Sequence, residues 1–468
     1  MPDIAAPRPG SARLLFALAC SQLVVALDFS IVYVALPSLG EALRFSTVTL
    51  QWVVSGYAIV FAGFLLVGGR LVDAVGGGRV FVAAHALFAI GSLGAGAAGD
   101  AELLLAGRVG QGLAAALLAP ATLALLNEGW PPGRARDRAL AVWGSTGAVG
   151  LALGVVVGGV VLATVSWRWV FWVAVPINVV CVAASMGLLR NRPVSLRRRL
   201  DPTAALLGTG AVVSLVVAAT QASTGNASWS VVAAWTAVAA GLGVAVAWSQ
   251  SRRPGALIPV GLWRVTTLRT ACVVAALYMA SLGAEFYLVT LYLQRDMRMS
   301  TLAAGLAFLP LTLTIVAGNS LAGWLAGRWG LRRLLMAAFG IGAVGLGLLT
   351  LGLTQHEYLT GVLPGLVVSG VGQGIAFTAM FITGTRDLDE SANGSGAALV
   401  TTTQYVGGAI GLALLVLLHG PAPVTADFQR AFLVTVLIAA LTVPVAAVML
   451  PSRVATPAGA GAGSRTHD

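Results

Sequence analysis

Apolar runs follow one another along almost the whole chain, separated by short stretches that carry Arg, Pro, Gly or acidic residues. A helix needs about 20 consecutive, mostly apolar residues to cross roughly 30 Å of hydrocarbon. By that measure the runs predict spans over 13–36, 50–68, 80–98, 103–126, 139–163, 169–189, 203–221, 230–250, 270–294, 304–326, 334–353, 359–384, 396–418 and 428–450. The first run follows Arg8 and Arg13, as a signal peptide would. It is longer than a signal-peptide core, lacks an A-x-A cleavage site and precedes many further spans, so it reads as a mature helix. The expected class is an all-α polytopic membrane protein of about 14 spans.

Composition narrows the class further. The 468 residues are 58% hydrophobic and 10% charged, with 58 glycines, and mean hydropathy is +0.89. A soluble domain carries about 25% charged residues, so this chain has too little charge to cover a water-facing surface. Disorder requires low hydrophobicity, and three cysteines cannot form a disulfide framework.

The net charge of +11 could suggest nucleic-acid binding, but the placement of the basic residues argues otherwise. All 28 are Arg. Twenty-two fall in alternate inter-span segments, including both termini, against five (Arg44, Arg168, Arg295, Arg298 and Arg430) in the others. By the positive-inside rule both termini lie in the cytoplasm. The surplus charge is thus a topology code, and no nucleic-acid partner is expected.

The chain also repeats itself. At an offset of 254 residues, Arg44, Ser46 and Thr47 fall on Arg298, Ser300 and Thr301, Gly69 and Leu71 on Gly323 and Leu325, and Gly76 and Arg79 on Gly330 and Arg333. At an offset of 262, Gly110-Gln111-Gly112 falls on Gly372-Gln373-Gly374. The first six spans therefore resemble the last six in the same orientation, which is the plan of a transporter whose substrate site lies between two rocking halves. The implied organisation is an N-terminal half (1–190), two extra helices with their flanks (191–269), a C-terminal half (270–450) and a disordered cytoplasmic tail (451–468).

Apart from Cys, Tyr and His, only Asp28, Arg108 and Glu285 place ionisable groups well inside the spans. A charge at bilayer depth costs at least about 2.5–3.5 kcal/mol, so each is a functional candidate. Asp28 could exchange a proton, or be a carboxylate bonded to Ser30 that never titrates. Glu285 lies about one turn beyond the repeat image of Asp28, so the two acids could face one cavity from opposite halves; the alternative is an ion pair with a neighbour. Arg108 could pair with a carboxylate, and Gln111 lies one turn further on. Tyr33 and Tyr287 could line the cavity; Tyr292 and Gln294 could do the same or anchor the helix at the interface. Asp73 could sit at a helix N-terminus, where the dipole favours an anion. Gly150, Gly154, Gly158 and Gly159 are spaced for close helix contact. Trp167, Trp169 and Trp172 read as interfacial anchors and His85 as a buried hydrogen-bonded residue. Nucleotide-loop, zinc-protease and nucleophile-elbow motifs are absent and there is no Lys. Neither an enzyme nor a bound cofactor or metal is expected, and energy must come from an ion gradient.

These residues resemble the major facilitator superfamily, and within it the fourteen-span drug–proton antiporters. LDFSIVYVALP (27–37) resembles the first-helix signature, with Ser30 for Thr and Tyr33 for Asn. GRLVDAVGGGR (69–79) resembles the loop between spans 2 and 3, keeping Gly69, Asp73, Gly76 and Arg79. GRVGQG (107–112) resembles the fourth-span signature, and SWRWVFWVAVP (166–176) the segment into span 6. GLALGVVVGG (150–159) resembles the antiporter motif, with Val155 where Pro is usual. The resemblance implies that Asp28 is the proton-coupling carboxylate and that the loop holding Asp73 and Arg79 forms a conformational switch. It further implies a monomer in a bacterial cytoplasmic membrane that exchanges small amphipathic compounds for protons. A dedicated exporter of one metabolite or self-made antibiotic is the alternative, and a non-transporting receptor or channel a more distant one.

Overall fold

A computed structural model of the protein describes residues 12–45, 47–131, 133–185, 202–224, 228–251, 260–388, 392–419 and 425–450. The expected tail at 451–468 and the basic segment at 190–201 lie outside the described residues. Every regular element among the described residues is helical.

The first half comprises α1 (Ala12–Leu43), α2 (Thr47–Val75), α3 (Gly77–Ala97), α4 (Ala101–Gly129), α5 (Arg134–Thr164), the short α6 (Trp169–Trp172) and α7 (Ala174–Ser185). The extra pair is α8 (Pro202–Thr224) and α9 (Trp229–Ser251). The second half comprises α10 (Thr266–Ala280), α11 (Glu285–Leu291), α12 (Thr301–Leu306), α13 (Leu309–Gly352), α14 (Leu363–Thr385), α15 (Asn393–His419) and α16 (Thr425–Met449). Ten helical stretches among the described residues are long and apolar enough to cross a membrane, and Trp169–Ser185 and Leu206–Ala218 are shorter apolar helices. One of the ten, Ala303–Gln355, has 53 residues, about twice what one crossing needs. Its backbone leaves helical geometry at Gly330 (φ 73°, ψ 156°), between the expected spans 304–326 and 334–353.

Helices outrun the apolar stretches that predict them. The second apolar run ends near 68, whereas α2 continues to Val75. Asp73 is therefore in the last turn of α2 and Arg79 in the first turn of α3, and the expected loop reduces to Gly76 (φ 93°), a conformation that Gly adopts without steric cost. The expected span 270–294 is broken between Ala280 and Glu285.

The repeat is visible in the backbone. Arg44 and Arg298 have φ of 53° and 55°, and Gly76 and Gly330 are both left-handed. Residues 254 apart thus make the same local turns, which chance identity in a Gly-rich sequence would not produce.

Within the halves α1 packs on α5, α3 on α4, α10 on α15, and α13 on α14. Across the seam α2 meets α15 and α5 meets both α13 and α14. The extra pair lies along this seam: α8 packs on α2 and α15, and α9 packs on α8. Trp229, Trp235 and Trp248 of α9 are exposed, as expected of a helix that faces lipid. Arg70 and Arg79 flank the α2–α3 turn, Arg134 and Arg138 open α5, and Arg328 and Arg332 flank Gly330. Gly69 of α2 abuts Gly394 of α15 and Gly323 of α13 abuts Asp137 of α5, so these turns share one end of the bundle, the arginine-rich end.

Gly150, Gly154 and Gly158 form one stripe of α5 against α1, while Gly159 is half-buried beside it. A methyl built at Gly150 would lie 2.6 Å from the Leu23 carbonyl oxygen and 2.9 Å from Ala26 Cβ, and one at Gly158 3.0 Å from Ile31 Cγ1. At Gly154 it would strike Ser30 Oγ. Gly150→Ala should therefore destabilise the fold by about 1–3 kcal/mol. Gly94→Ala, where nothing lies within 4 Å, should not; thermal unfolding in detergent compares the two. Equal stability of both variants would mean that the stripe does not set the α1–α5 distance.

Candidate functional site

Asp28 projects from α1 and is 0% exposed. Two residues on one face of α4 hold it: Arg108 Nη1 donates to Oδ2 at 2.7 Å and Gln111 Nε2 donates to Oδ1 at 2.8 Å. Arg108 Nη1 also donates to Gln111 Oε1 at 2.9 Å, and Arg108 Nε to the Val53 carbonyl of α2 at 3.0 Å. The guanidinium lies 4.3 Å from the Tyr57 ring centre, and Gln111 Nε2 donates to Ser92 Oγ of α3 at 2.9 Å. One buried cation thus ties together α1, α2 and α4. Ser30 Oγ donates to the Ala26 and Leu27 carbonyls of its own helix, which leaves the aspartate to α4.

The second half builds a related arrangement. Glu285 opens α11 and is 0% exposed. Ser369 Oγ donates to Oε1 at 2.7 Å, and Gln373 Nε2 donates to Oε2 at 2.9 Å. Both donors lie on α14, and Gln373 is the repeat image of Gln111. The image of Arg108 under the same offset is Gly370, where a methyl would lie 2.8 Å from the Leu311 carbonyl oxygen. The second half therefore keeps the carboxyl and the glutamine but has no room for the cation. Neither acid opens toward the other, since each is turned onto α4 or α14 of its own half.

Tyr33 is half-exposed, packs edge-on against Phe29 with ring centres 5.4 Å apart, and lies within electrostatic reach of Arg108 and Tyr287. Tyr287 is half-buried on α11, so the two phenols approach from opposite halves. Tyr292 has neither expected role: its hydroxyl is buried and donates to the Leu353 carbonyl at 2.7 Å. His85 is buried with Nδ1 2.6 Å from Asn178 Oδ1. Arg168 caps the end of α3 by donating to the Gly96 and Ala98 carbonyls at 2.9 and 2.8 Å. Among the described residues no group of three metal-ligating side chains occurs.

Asp73 makes the longest connection in sequence. Its carboxylate accepts from the backbone N–H of Gly394 at 3.1 Å and of Ser395 at 3.2 Å, and from the Ser395 hydroxyl. These residues begin α15, so a carboxylate of the first half caps a helix of the second. Arg70, buried on α2, lies within electrostatic reach of Asp73. One turn before Asp73, a methyl at Gly69 would lie 2.7 Å from the Gly394 carbonyl oxygen, so this glycine permits the approach. Arg79 is exposed in the first turn of α3. Gly394 and Ser395 carry no recognisable motif, whereas the repeated Gly-Gln-Gly could have nominated Gln373.

Comparison with known proteins bears on the fold as a whole. The sequence pattern of the Major Facilitator Superfamily matches residues 18–412. The chain is 35% identical over 406 residues to the puromycin resistance protein pur8 of Streptomyces alboniger, covering 86% of this chain and 80% of that one. It is 33% identical over 459 residues to the cephamycin export protein CmcT of Amycolatopsis lactamdurans, covering 95% and 94%. Among solved structures, the human organic anion transporter MFSD10 superposes with a TM-score of 0.70 at 14% identity, over 94% of this chain and 100% of that one.

Proposed function

From the premise that this chain belongs to the Major Facilitator Superfamily, we propose that it is an exporter of small organic compounds, driven by protons moving the other way. It is a multi-pass membrane protein and a transporter by family. Relatives named for puromycin resistance and cephamycin export support outward movement of antibiotic-like amphipathic molecules. The bacterial relatives support a bacterial cytoplasmic membrane and the arginine distribution an orientation with the arginine-rich end inside, and the protein is read as a monomer with the halves and extra pair bounded as the sequence predicts.

The observation that carries proton coupling is the pair of fully buried carboxyls, Asp28 and Glu285, each gripped by a glutamine of its own half, of which only Asp28 has a cation, Arg108, beside it among the described residues. Taking a proton on Asp28 removes one of Arg108's partners and leaves its bonds to Val53 and Gln111. The arginine then holds α2 and α4 but no longer holds α1, which converts protonation into a change in helix contacts. Glu285 has only neutral donors among the described residues, so it holds a proton or meets a positively charged group of the cargo. The Asp73 cap closes the arginine-rich end, so cargo in this state is released at the opposite end. Tyr33 and Tyr287 face the cargo there, with Gln111 behind Asp28. A proton binding from outside must favour the return of the halves, because a ligand shifts a conformational equilibrium only through unequal affinity for the two states.

Everted membrane vesicles test the reading. With an acid interior, puromycin or a cephamycin should accumulate inside, and added cargo should drive protons out. Glu285→Gln, which preserves the shape and keeps one acceptor oxygen for the Ser369 hydroxyl, should slow that cargo-driven proton movement about a hundredfold. Undiminished movement would remove Glu285 from the mechanism, and no accumulation of any compound would sink export itself. Because both relatives carry the name of a single antibiotic, a dedicated exporter is the second reading. Transport of one compound from a chemically varied panel would select it.

A further inference from the structure

Four rings close the arginine-rich half of the seam, and they come from both halves. Trp143 of α5 stacks on Phe377 of α14 with ring centres 5.9 Å apart and planes at 25°, and meets Phe381 edge-on at 5.3 Å. Phe377 and Phe381 are 5.1 Å apart, and Tyr278 of α10 lies 6.1 Å from Phe377. The next residue of α5, Gly144, lets Phe377 press against the backbone, since a methyl there would lie 3.0 Å from its Cδ1. Trp143 is four residues beyond the start of the expected span 139–163, about 6 Å along the helix at 1.5 Å per residue. The cluster therefore lies just inside the arginine-rich edge of the span.

One atom of this seal has no role in the closed state. Trp143 is 3% exposed, and its indole Nε1–H finds no acceptor among the described residues. Burying an unsatisfied donor costs about 1–3 kcal/mol, and a phenylalanine would close the same seam without that cost. The donor has a use only when the rings part. Opening the arginine-rich end must separate α5 from α14, which strips Trp143 of both phenylalanine partners and presents three apolar rings and one free N–H to whatever enters.

We propose that Trp143, Phe377, Phe381 and Tyr278 form a cargo-receiving site in the inward-facing state, taking an aromatic molecule that bears a hydrogen-bond acceptor. The cargo ring takes the place of the ring pairs that opening separates, each worth about 0.5–1.5 kcal/mol, and its acceptor receives the indole N–H. Such a ligand favours the open state because only that state offers the site. Trp143 precedes on α5 the glycines Gly150 and Gly154 that pack beside the Asp28 segment of α1, while Tyr278 lies within electrostatic reach of Glu285, so the site leads from the arginine-rich end toward the carboxyls. This inference rests on the export reading only for the direction of entry.

Quinoline and naphthalene test it without any transport, since they share a two-ring shape and only quinoline has an acceptor nitrogen. Their binding to the full-length protein in lipid nanodiscs is measured after subtracting partition into empty nanodiscs. Quinoline should bind about fivefold more tightly than naphthalene, the value of one net hydrogen bond. In Trp143→Phe that ratio should fall to about one while naphthalene binding persists. Asp73→Asn, which weakens the cap on α15, should tighten both probes. An unchanged ratio in Trp143→Phe, or loss of both probes there although a ring remains, would overturn the proposal. Ring binding with the expected ratio in a protein that exports nothing would leave this site standing and remove the export reading. Export without probe discrimination would do the reverse.

Discussion

Arg108→Gln should destabilise the protein by about 3–5 kcal/mol, the cost of leaving one partner of a buried ion pair uncompensated. Arg108 is 2% exposed and Asp28 0%, so water cannot solvate whichever charge remains. Asp28→Asn should be costly for the same reason, as it leaves a buried guanidinium. The combination Asp28→Asn with Arg108→Gln should recover most of the loss, because two neutral amides can still bond to Gln111 and the Val53 carbonyl. Denaturant or thermal unfolding of the two single variants and the double variant, arranged as a double-mutant cycle, measures this coupling directly. Additive losses would show that the pair contributes no net interaction. The double variant is also the proper one for transport measurements, since it separates loss of proton exchange from loss of the fold.

Asp73→Asn should shift the protein toward the state open at the arginine-rich end. The substitution removes the charge from bonds to two backbone N–H groups and a hydroxyl, and hydrogen bonds to charged groups contribute about 1.5–3 kcal/mol each. It also takes an anion from the N-terminus of α15, worth about 0.3–1 kcal/mol in ordinary settings. A net loss of about 2 kcal/mol changes the ratio of states roughly thirtyfold. Ala398, fully buried close to Gly69, reports on it. In an Ala398→Cys background lacking the three native cysteines, labelling by a water-soluble maleimide should accelerate more than about tenfold when Asp73→Asn is added. An unchanged rate would show that the cap does not hold the seam closed.

Hydrophobic run length was sufficient to place the helices, because the bilayer imposes a minimum apolar length that few other structures need. It could not mark where they stop, since the last turns of α2 are polar enough to read as loop while remaining helical. The repeat was legible through Arg44 and Arg298 or Gly76 and Gly330, whose identities are tied to local backbone turns. Partners were not. Asp73 meets Ser395 from 322 residues away, a pairing set by how the halves dock. Arg108, Gln111 and Asp28 stand out as rare polar groups in apolar runs, but the choice of Ser369 and Gln373 over an ion pair for Glu285 depends on which face α14 turns to α11. Trp143 was the least visible: an aromatic in an apolar run looks like core, and only its unpartnered nitrogen at the seam distinguishes it.

The substitution of Gly370 for the arginine position bears on how transport responds to membrane voltage. An ionised Asp28 beside Arg108 carries no net charge as the first half reorients, so the electric field does almost no work on it. An ionised Glu285 has no such companion among the described residues, and moving one elementary charge across 100 mV is worth about 2.3 kcal/mol. The two halves therefore feel the membrane potential unequally although they share a scaffold. A positively charged cargo seated beside Glu285 would restore electrical neutrality for the outward journey of the proposed export cycle, so the voltage would do little work on that step.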